Sequence, residues 1–187
     1  MTAQGFGCMG MTEPGAGTDV IGMSTVAVRD GEDFILNGQK AMITNAPESD
    51  LFLVYAKLED RISTFVLERG MEGLSTPAKT PKMGMRASSL GEIVMEDCRV
   101  PASNLLGEEG QGFKMLMSQL QQERLCIAVG SMASCHRSVE DTLAYVKERK
   151  AFGQPIGQFQ NTQFKMAELA TEVEIGRCFV DRLMGAH

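Results

Sequence analysis

Little in this chain would carry it to nucleic acid, a membrane or a metal. Its 187 residues hold 18 Lys and Arg against 24 Asp and Glu, a net charge of −6, with no basic stripe. Nucleic acids are held mainly by clustered cations, so none is expected as a partner. No apolar run approaches the roughly 18 residues of a helical membrane span. His136 and His187 are the only histidines. Five cysteines (Cys8, Cys98, Cys126, Cys135, Cys178) are odd in number and widely spaced. No pair has metal-ligand spacing, so no metal is expected, and reduced thiols in a reducing compartment are. The start, Met-Thr-Ala-Gln-Gly, has neither a positive region nor an apolar core, and no Arg-rich amphipathic leader is present. The cytoplasm is therefore expected, or the mitochondrial matrix if the chain is eukaryotic and lacks an N-terminal piece. Repeats and low-complexity segments are absent. What is present is 43% apolar residue, enough to bury a core and to exclude disorder by composition.

The pattern changes near residue 106. Before it, short strands alternate with turns. Ser24–Arg29 alternates, Asp30-Gly31 predicts a hairpin turn, and Phe34–Leu36 continues as a strand towards Asn37-Gly38. Leu51–Lys57 and Ile62–Leu67 flank a polar turn at Glu59-Asp60, and Glu92–Glu96 leads to Val100-Pro101. About seven strands at this spacing predict an antiparallel sandwich or barrel. After Gly107–Gly110 the pattern is helical. Gly112–Lys150 contains no proline, and Ala128, Gly130, Ala133 and Ser134 would admit a close helix neighbour. Phe152–Pro155 is expected to end that helix. A second helix from about Thr162 carries Met166, Leu169, Val173, Val180 and Leu183 or Met184 on one stripe. The expected fold class is α+β: residues 1–106 form a β domain, and 107–187 the long helices of an incomplete bundle. Two helices with broad apolar faces cannot cover themselves, and the pattern runs on to His187 without a cap. A truncated protein, or one whose bundle is completed by other copies, is expected.

The most informative stretch is Gly10–Gly22, G-M-T-E-P-G-A-G-T-D-V-I-G. Gly15 and Gly17 would let a ligand approach the backbone and would permit φ > 0. Successive N–H groups there would form an anion-binding nest, with Thr12 and Thr18 adding hydroxyls. A tight surface turn that binds nothing is the alternative.

This stretch resembles the first signature of the acyl-CoA dehydrogenase family, and other segments extend the resemblance in order. Asn37–Asn45 (N-G-Q-K-A-M-I-T-N) is similar to the family strand N-G-x-K-x-W-I-T-N. Lys82–Ser88 is similar to its M-G-x-R-x-S loop. Val94–Pro101, Asn104–Gly107 and Gly110–Phe113 are similar to its domain junction. Glu148–Ile156 is similar to E-R-x-x-F-G-x-x-I, with Gln160 following at the family spacing. The resemblance implies the middle β domain and the first part of the C-terminal helical domain, without the N-terminal helical domain.

It also implies chemistry. FAD takes a hydride from Cβ of an acyl-CoA while a carboxylate removes a Cα proton, giving a trans-2-enoyl-CoA, as in fatty-acid β-oxidation. Met11, Thr12, Gly17 and Thr18 would lie along the flavin and the thioester arm, Thr18 touching cofactor or substrate. Ile43 and Thr44 would sit against the flavin ring, where a hydroxyl donor favours the reduced, charged form. Arg149, Phe152 and Gln160 would reach the FAD of a neighbouring subunit, a guanidinium suiting a pyrophosphate. Hence a homo-oligomer, tetramer-like in the longer enzyme, is implied, with electron-transfer flavoprotein as electron acceptor. Thr44 as an ordinary strand threonine and Arg149 as a helix C-terminal cation are the plainer alternatives.

Glu123, in Leu120–Leu125 (L-Q-Q-E-R-L), is the candidate base. Most of the family places its base late in the C-terminal domain, beyond His187. The long-chain and isovaleryl branches place it on this helix within an E-R-L sequence, and the segments around Tyr145–Gly153 and Ala167–Asp181 look most like the long-chain type. A glutamate in an apolar acyl tunnel would have a raised pKa suited to taking the α-proton. Arg124 would orient base or substrate, and Phe113 would line the substrate side. The alternative for Glu123 is a solvated helix glutamate. Met42 departs from the family by replacing Trp or Phe against the flavin. Ala151 removes a hydroxyl, and Ala46-Pro47 replace a glycine-rich turn. Three functions stay open: a flavin-dependent dehydrogenase that is inactive as this isolated piece, an inactive acyl-CoA or FAD-binding remnant, and a structural helical-β interaction module.

Overall fold

The computed structural model of the chain describes residues 5–77 and 79–187. The chain forms two compact units, one ending at Leu116 and the other running from Met117 to His187. The first is built on an eight-stranded sheet of β1 (Gly7–Gly10), β2 (Val26–Asp30), β3 (Asp33–Thr44), β4 (Leu51–Leu58), β5 (Arg61–Glu68), β6 (Leu74–Ser75), β7 (Leu90–Val100) and β8 (Leu105–Leu106). The order is β6-β7-β3-β2-β4-β5-β8, with β1 paired to β4. The α+β class holds, but the sheet is mixed rather than purely antiparallel. Both β1 and β2 run parallel to β4, β2 through only the pairs Val26–Lys57 and Ala27–Leu58. That short pairing lets one sheet curl around a single core. Phe34, Leu36, Phe52, Val54, Phe65, Leu67, Ile93 and Val100 fill it, and Phe34 meets Phe65 edge-on at 5.1 Å between centroids.

The first hairpin turns one residue later than expected: Asp30 pairs with Asp33, and Gly31 takes φ +68. The β4–β5 turn lies at Glu59 and Asp60 as expected, with both in the left-handed region at φ 49 and 62. Asn37-Gly38 does not end β3. The strand continues to Thr44, and two register shifts against β7 lie between Leu36 and Gly38 and between Lys40 and Ile43. A side chain at Gly38 would meet the Thr25 main chain at 2.8 Å, so this crossing requires glycine.

The second unit contains most of α1 (Gly112–Glu148), a two-residue-strand hairpin of β9 (Lys150–Ala151) and β10 (Gln154–Pro155), and α2 (Gln160–Ala186). The hairpin, not Pro155, breaks the helical run, since α1 has ended at Glu148. Met166 and Val180 of the α2 stripe are buried, while Leu169, Leu183 and Met184 stay exposed. The helices approach closely where Gly176 faces Met132; a Cβ at Gly176 would come within 2.6 Å of that side chain. Gly130, expected to serve this purpose, has open space around it. Among the described residues no helix is long and apolar enough to cross a membrane, and no His, Cys, Asp and Glu cluster could hold a metal.

Candidate functional site

In the first unit, the fold brings together three segments far apart in sequence. β3 begins with Phe34 and Leu36 facing inward, and strict alternation would carry Met42 and Thr44 into the core. The bulge between Lys40 and Ile43 resets the phase. Lys40, Ala41 and Ile43 are buried, while Met42, at φ 58, and Thr44 face outward. The bulge also frees the Ala41 N–H, which donates to the Thr12 carbonyl at 2.8 Å. At the far end of β3, the Asn45 N–H donates to the Ser89 carbonyl at 3.0 Å, joining the segment that follows the Lys82–Ser88 loop. Met83 and Met85 of that loop are exposed.

The Gly10–Gly22 segment is anchored by a buried ion pair. Lys40 Nζ lies 2.8 Å from Glu13 Oε1, with the two side chains 0% and 2% exposed. The ammonium also donates to the Met11 carbonyl at 3.3 Å and contacts Met23 Sδ at 3.9 Å. Glu13 accepts from Ser24 N and Ser24 Oγ, both at 2.6 Å, and from Thr25 N at 3.0 Å. Burial alone would raise the Glu13 pKa, but hydrogen bonds from Lys40, Ser24 and Thr25 bring it down to about 2. Burial lowers the Lys40 pKa, against the pull of Glu13. With the ammonium contacts and carboxylate lone pairs matched, the charged pair is the form the geometry favours.

A reciprocal bond pair, Glu13 N to Ala16 O at 2.9 Å and Ala16 N to Glu13 O at 3.2 Å, closes the turn beyond. Gly15 and Gly17 have open space around them, as a close ligand approach requires, but neither enters the left-handed region. The Glu13–Ala16 bonds hold this turn without a left-handed residue at either glycine. Met11 and Thr12 are half-buried, while Gly17 and Thr18 are exposed. The Ile43 side chain is in the core at 3% exposure, so only its main chain is left for a ligand. Phe113, in the first turn of α1, is half-buried. That turn starts close to β5, where the Gly110 N–H donates to Ser63 Oγ at 2.8 Å.

The remaining candidates belong to the second unit. Glu123 and Arg124 are exposed on α1. Glu123 sits in an open groove with Gln119, Gln122, Cys126 and Ile127, not in the enclosing apolar tunnel expected for it. Its neighbours are one turn of its own helix, which cannot enclose a side chain. Arg149, Phe152 and Gln160 cluster around the β9–β10 hairpin and the start of α2, all exposed. Phe152 is 96% exposed, takes φ 53 at the hairpin tip, and meets Phe159 edge-on with centroids 6.3 Å apart. A bulky residue in that conformation costs about 1–3 kcal/mol, which points to a role outside the fold's own stability.

Sequence reasoning missed Glu13, Lys40 and the Met23–Thr25 exit of the segment. The signal available was a lysine at an inward phase of β3.

The description "Acyl-CoA dehydrogenase, middle domain" matches residues 8–98, and "Acyl-CoA dehydrogenase, C-terminal domain" matches residues 110–187. The chain belongs to the acyl-CoA dehydrogenase family. It is 47% identical to the mitochondrial long-chain specific acyl-CoA dehydrogenase of Mus musculus, over 97% of this chain and 44% of that protein. A crystal structure of acyl-CoA dehydrogenase from Geobacillus kaustophilus superposes with a TM-score of 0.93 at 44% identity, covering 97% of this chain and 50% of the other. The Bacillus anthracis acyl-CoA dehydrogenase crystallised with FAD superposes at 0.89 and 37% identity, over 95% and 31%. The chain thus spans under half the length of the mouse relative it matches.

Proposed function

We propose that this chain carries the flavin-facing and proton-abstracting parts of an enzyme that dehydrogenates acyl-CoA to trans-2-enoyl-CoA with FAD. The observation that carries the reading is the Ala41–Thr12 hydrogen bond, which joins the Gly10–Gly22 and Asn37–Asn45 segments beside an outward-facing Thr44. The surface so formed fits a flavin: open glycine backbone at Gly15 and Gly17, hydroxyls at Thr12, Thr18 and Thr44, and an exposed apolar Met42. The FAD-bound Bacillus anthracis relative supports the same cofactor. When bound, FAD supplies the acceptor for the hydride leaving Cβ.

The protein's part is position and proton transfer. Met11, Thr12, Gly17 and Thr18 would hold cofactor and thioester, and the Ile43 main chain and Thr44 would meet the ring. A hydroxyl at Thr44 stabilises the negative charge of the reduced state. Glu123 accepts the Cα proton, Arg124 orients it, and Phe113 contributes apolar surface to the acyl chain. Arg149, Phe152 and Gln160 serve the cofactor of a neighbouring copy, so a homo-oligomer is part of the proposal. An electron-transfer flavoprotein would be the acceptor of the electrons. Residues 1–106 form the β domain of this machinery and 107–187 the first helices of its C-terminal domain. The compartment proposed is a reducing one, cytoplasm or mitochondrial matrix, in keeping with five free cysteines.

The open surroundings of Glu123 favour a second reading, a chain that binds FAD or acyl-CoA without turnover when isolated. Flavin uptake by the 187-residue chain separates both readings from a purely structural module, and reduction of the bound flavin by acyl-CoA separates them from each other. Thr44→Val, which keeps the shape, is expected to leave folding unchanged and to shift the bound-flavin spectrum or slow its reduction. An unchanged spectrum and rate would remove Thr44 from the flavin surface.

A further inference from the structure

The Pro14–Gly22 excursion, which includes Gly17 and Thr18, is exposed along most of its length, with Ala16 alone buried. Its own internal bonds are local: the Glu13–Ala16 turn, Val20 N to Thr18 O, and the Asp19 side chain accepting from Gly22 N. Nothing in those bonds fixes its direction relative to β3. Its two ends, however, meet at one buried point. On the entry side, the Met11 carbonyl and Glu13 Oε1 accept from Lys40 Nζ. On the exit side, Met23 Sδ contacts the same ammonium, and Ser24 and Thr25 donate to the Glu13 carboxylate. The ammonium is itself carried by β3, two residues before Met42 and four before Thr44. Gly10 packs on the same lysine, since a Cβ there would lie 3.2 Å from Lys40 Cγ.

We infer that Lys40 and Glu13 form a positioning pair, which sets the exposed Pro14–Gly22 excursion and its Thr18 against the Met42–Thr44 edge of β3 so that both present one surface to the flavin. This deepens the proposed function and rests on its reading that these two segments bind FAD. A buried ion pair rarely adds much net stability over an apolar pair of the same shape, while removing one partner leaves a costly lone charge. The pair is therefore explained by the order it imposes on a ligand-binding excursion whose ends it joins. Neither group touches the reacting atoms.

The test uses the 187-residue chain, with FAD as the probe, and the variants Lys40→Met, Glu13→Gln and the double variant. The glutamine carbonyl still accepts from Ser24, and methionine keeps the length of the lysine stem. Each single variant is expected to lose more thermal stability than the double variant. The double variant is expected to fold and yet bind FAD about tenfold or more weakly, because the excursion loses its direction. A double variant that regains both stability and FAD affinity would overturn the inference, since the pair would then be structural only. A second measurement needs no variant. In unliganded wild-type chain, the Ser24 and Thr25 amides should exchange about tenfold or more slowly than those of Gly15 and Gly17, given that they donate to a buried carboxylate; equal rates would overturn the clamp. If wild-type chain takes up no FAD while those amides stay protected, the flavin reading falls and the positioning role falls with it. If wild type and double variant bind FAD equally, only the positioning role falls.

Discussion

Glu13 and Lys40 hold the buried charges of the first unit, and their chemistry sets its behaviour in acid. The Glu13 carboxyl is held at about 2 when folded, against an ordinary 4.5. Between those values the unfolded chain binds the extra proton, so stability rises with pH across that window. Its contribution is whole above about pH 4.5 and is lost as the pH falls to about 2. Urea midpoints taken from pH 7 downward should therefore fall through this window in wild type, while Glu13→Gln starts lower and has a flatter acid limb. What slope is left comes from exposed carboxylates lowered by their lysines, Glu48 beside Lys79 and Glu168 beside Lys165. An unchanged acid limb in Glu13→Gln would show that the pair is not charged in the folded chain. At this scale the segments were legible: Thr12 and Thr44 lie in motif stretches that the Ala41–Thr12 bond brings together. The lysine beneath them showed only its inward phase on β3, and its burial depends on a partner 27 positions away. Gly15 and Gly17 show the converse. Their type was readable as a sign of open backbone, but neither takes the left-handed φ that glycine permits.

Among the elements, the β3 bulge matters most, because it turns Thr44 from the core to the surface without breaking the strand. It was invisible to a period-two reading: a bulge is a register difference against β7 and leaves no mark on β3 alone. The polar turn at Glu59-Asp60 was legible from its flanking apolar runs, but its residues are ill suited to it. A two-residue turn with both φ positive favours Asn-Gly. Replacing Glu59 by Asn and Asp60 by Gly together is expected to stabilise the chain by about 1 kcal/mol, read as a higher urea midpoint with an unchanged slope. A lower midpoint would mean that Glu59 or Asp60 makes a contact the turn geometry does not reveal. The β9–β10 hairpin was hidden for a different reason. Phe152-Gly153 and Pro155 were read as helix stop signals, and two-residue strands are too short to show a period. Both helices were legible throughout, α2 starting two residues earlier than expected.

For the whole molecule, the feature to account for is the apolar surface on the helices. Ile127, Phe164, Ile175 and Phe179 are each more than 60% exposed. Patches of this kind mark surfaces that other chain segments or other copies cover. The 187-residue chain is therefore expected to self-associate, with a weight-average mass in sedimentation equilibrium that rises with concentration; a monomer at every concentration would contradict this. The breadth of the apolar stripes was legible in the sequence, and in α2 Leu169, Leu183 and Met184 of that stripe stay exposed. What covers them lies outside any reading of α1 and α2 alone. The central claim, flavin-dependent proton and hydride removal from acyl-CoA with Glu123 as base, is tested most directly by one spectrum. FAD is bound to the longest polypeptide the gene encodes, and an acyl-CoA is added without oxygen, for wild type and for Glu123→Gln. The account predicts that the visible flavin band bleaches in wild type and persists in the variant, which binds FAD and acyl-CoA nearly as tightly. Loss of general-base function of this kind costs about 10²–10⁴ in rate. Equal bleaching in both, or no bleaching in a flavin-loaded wild type, would contradict it.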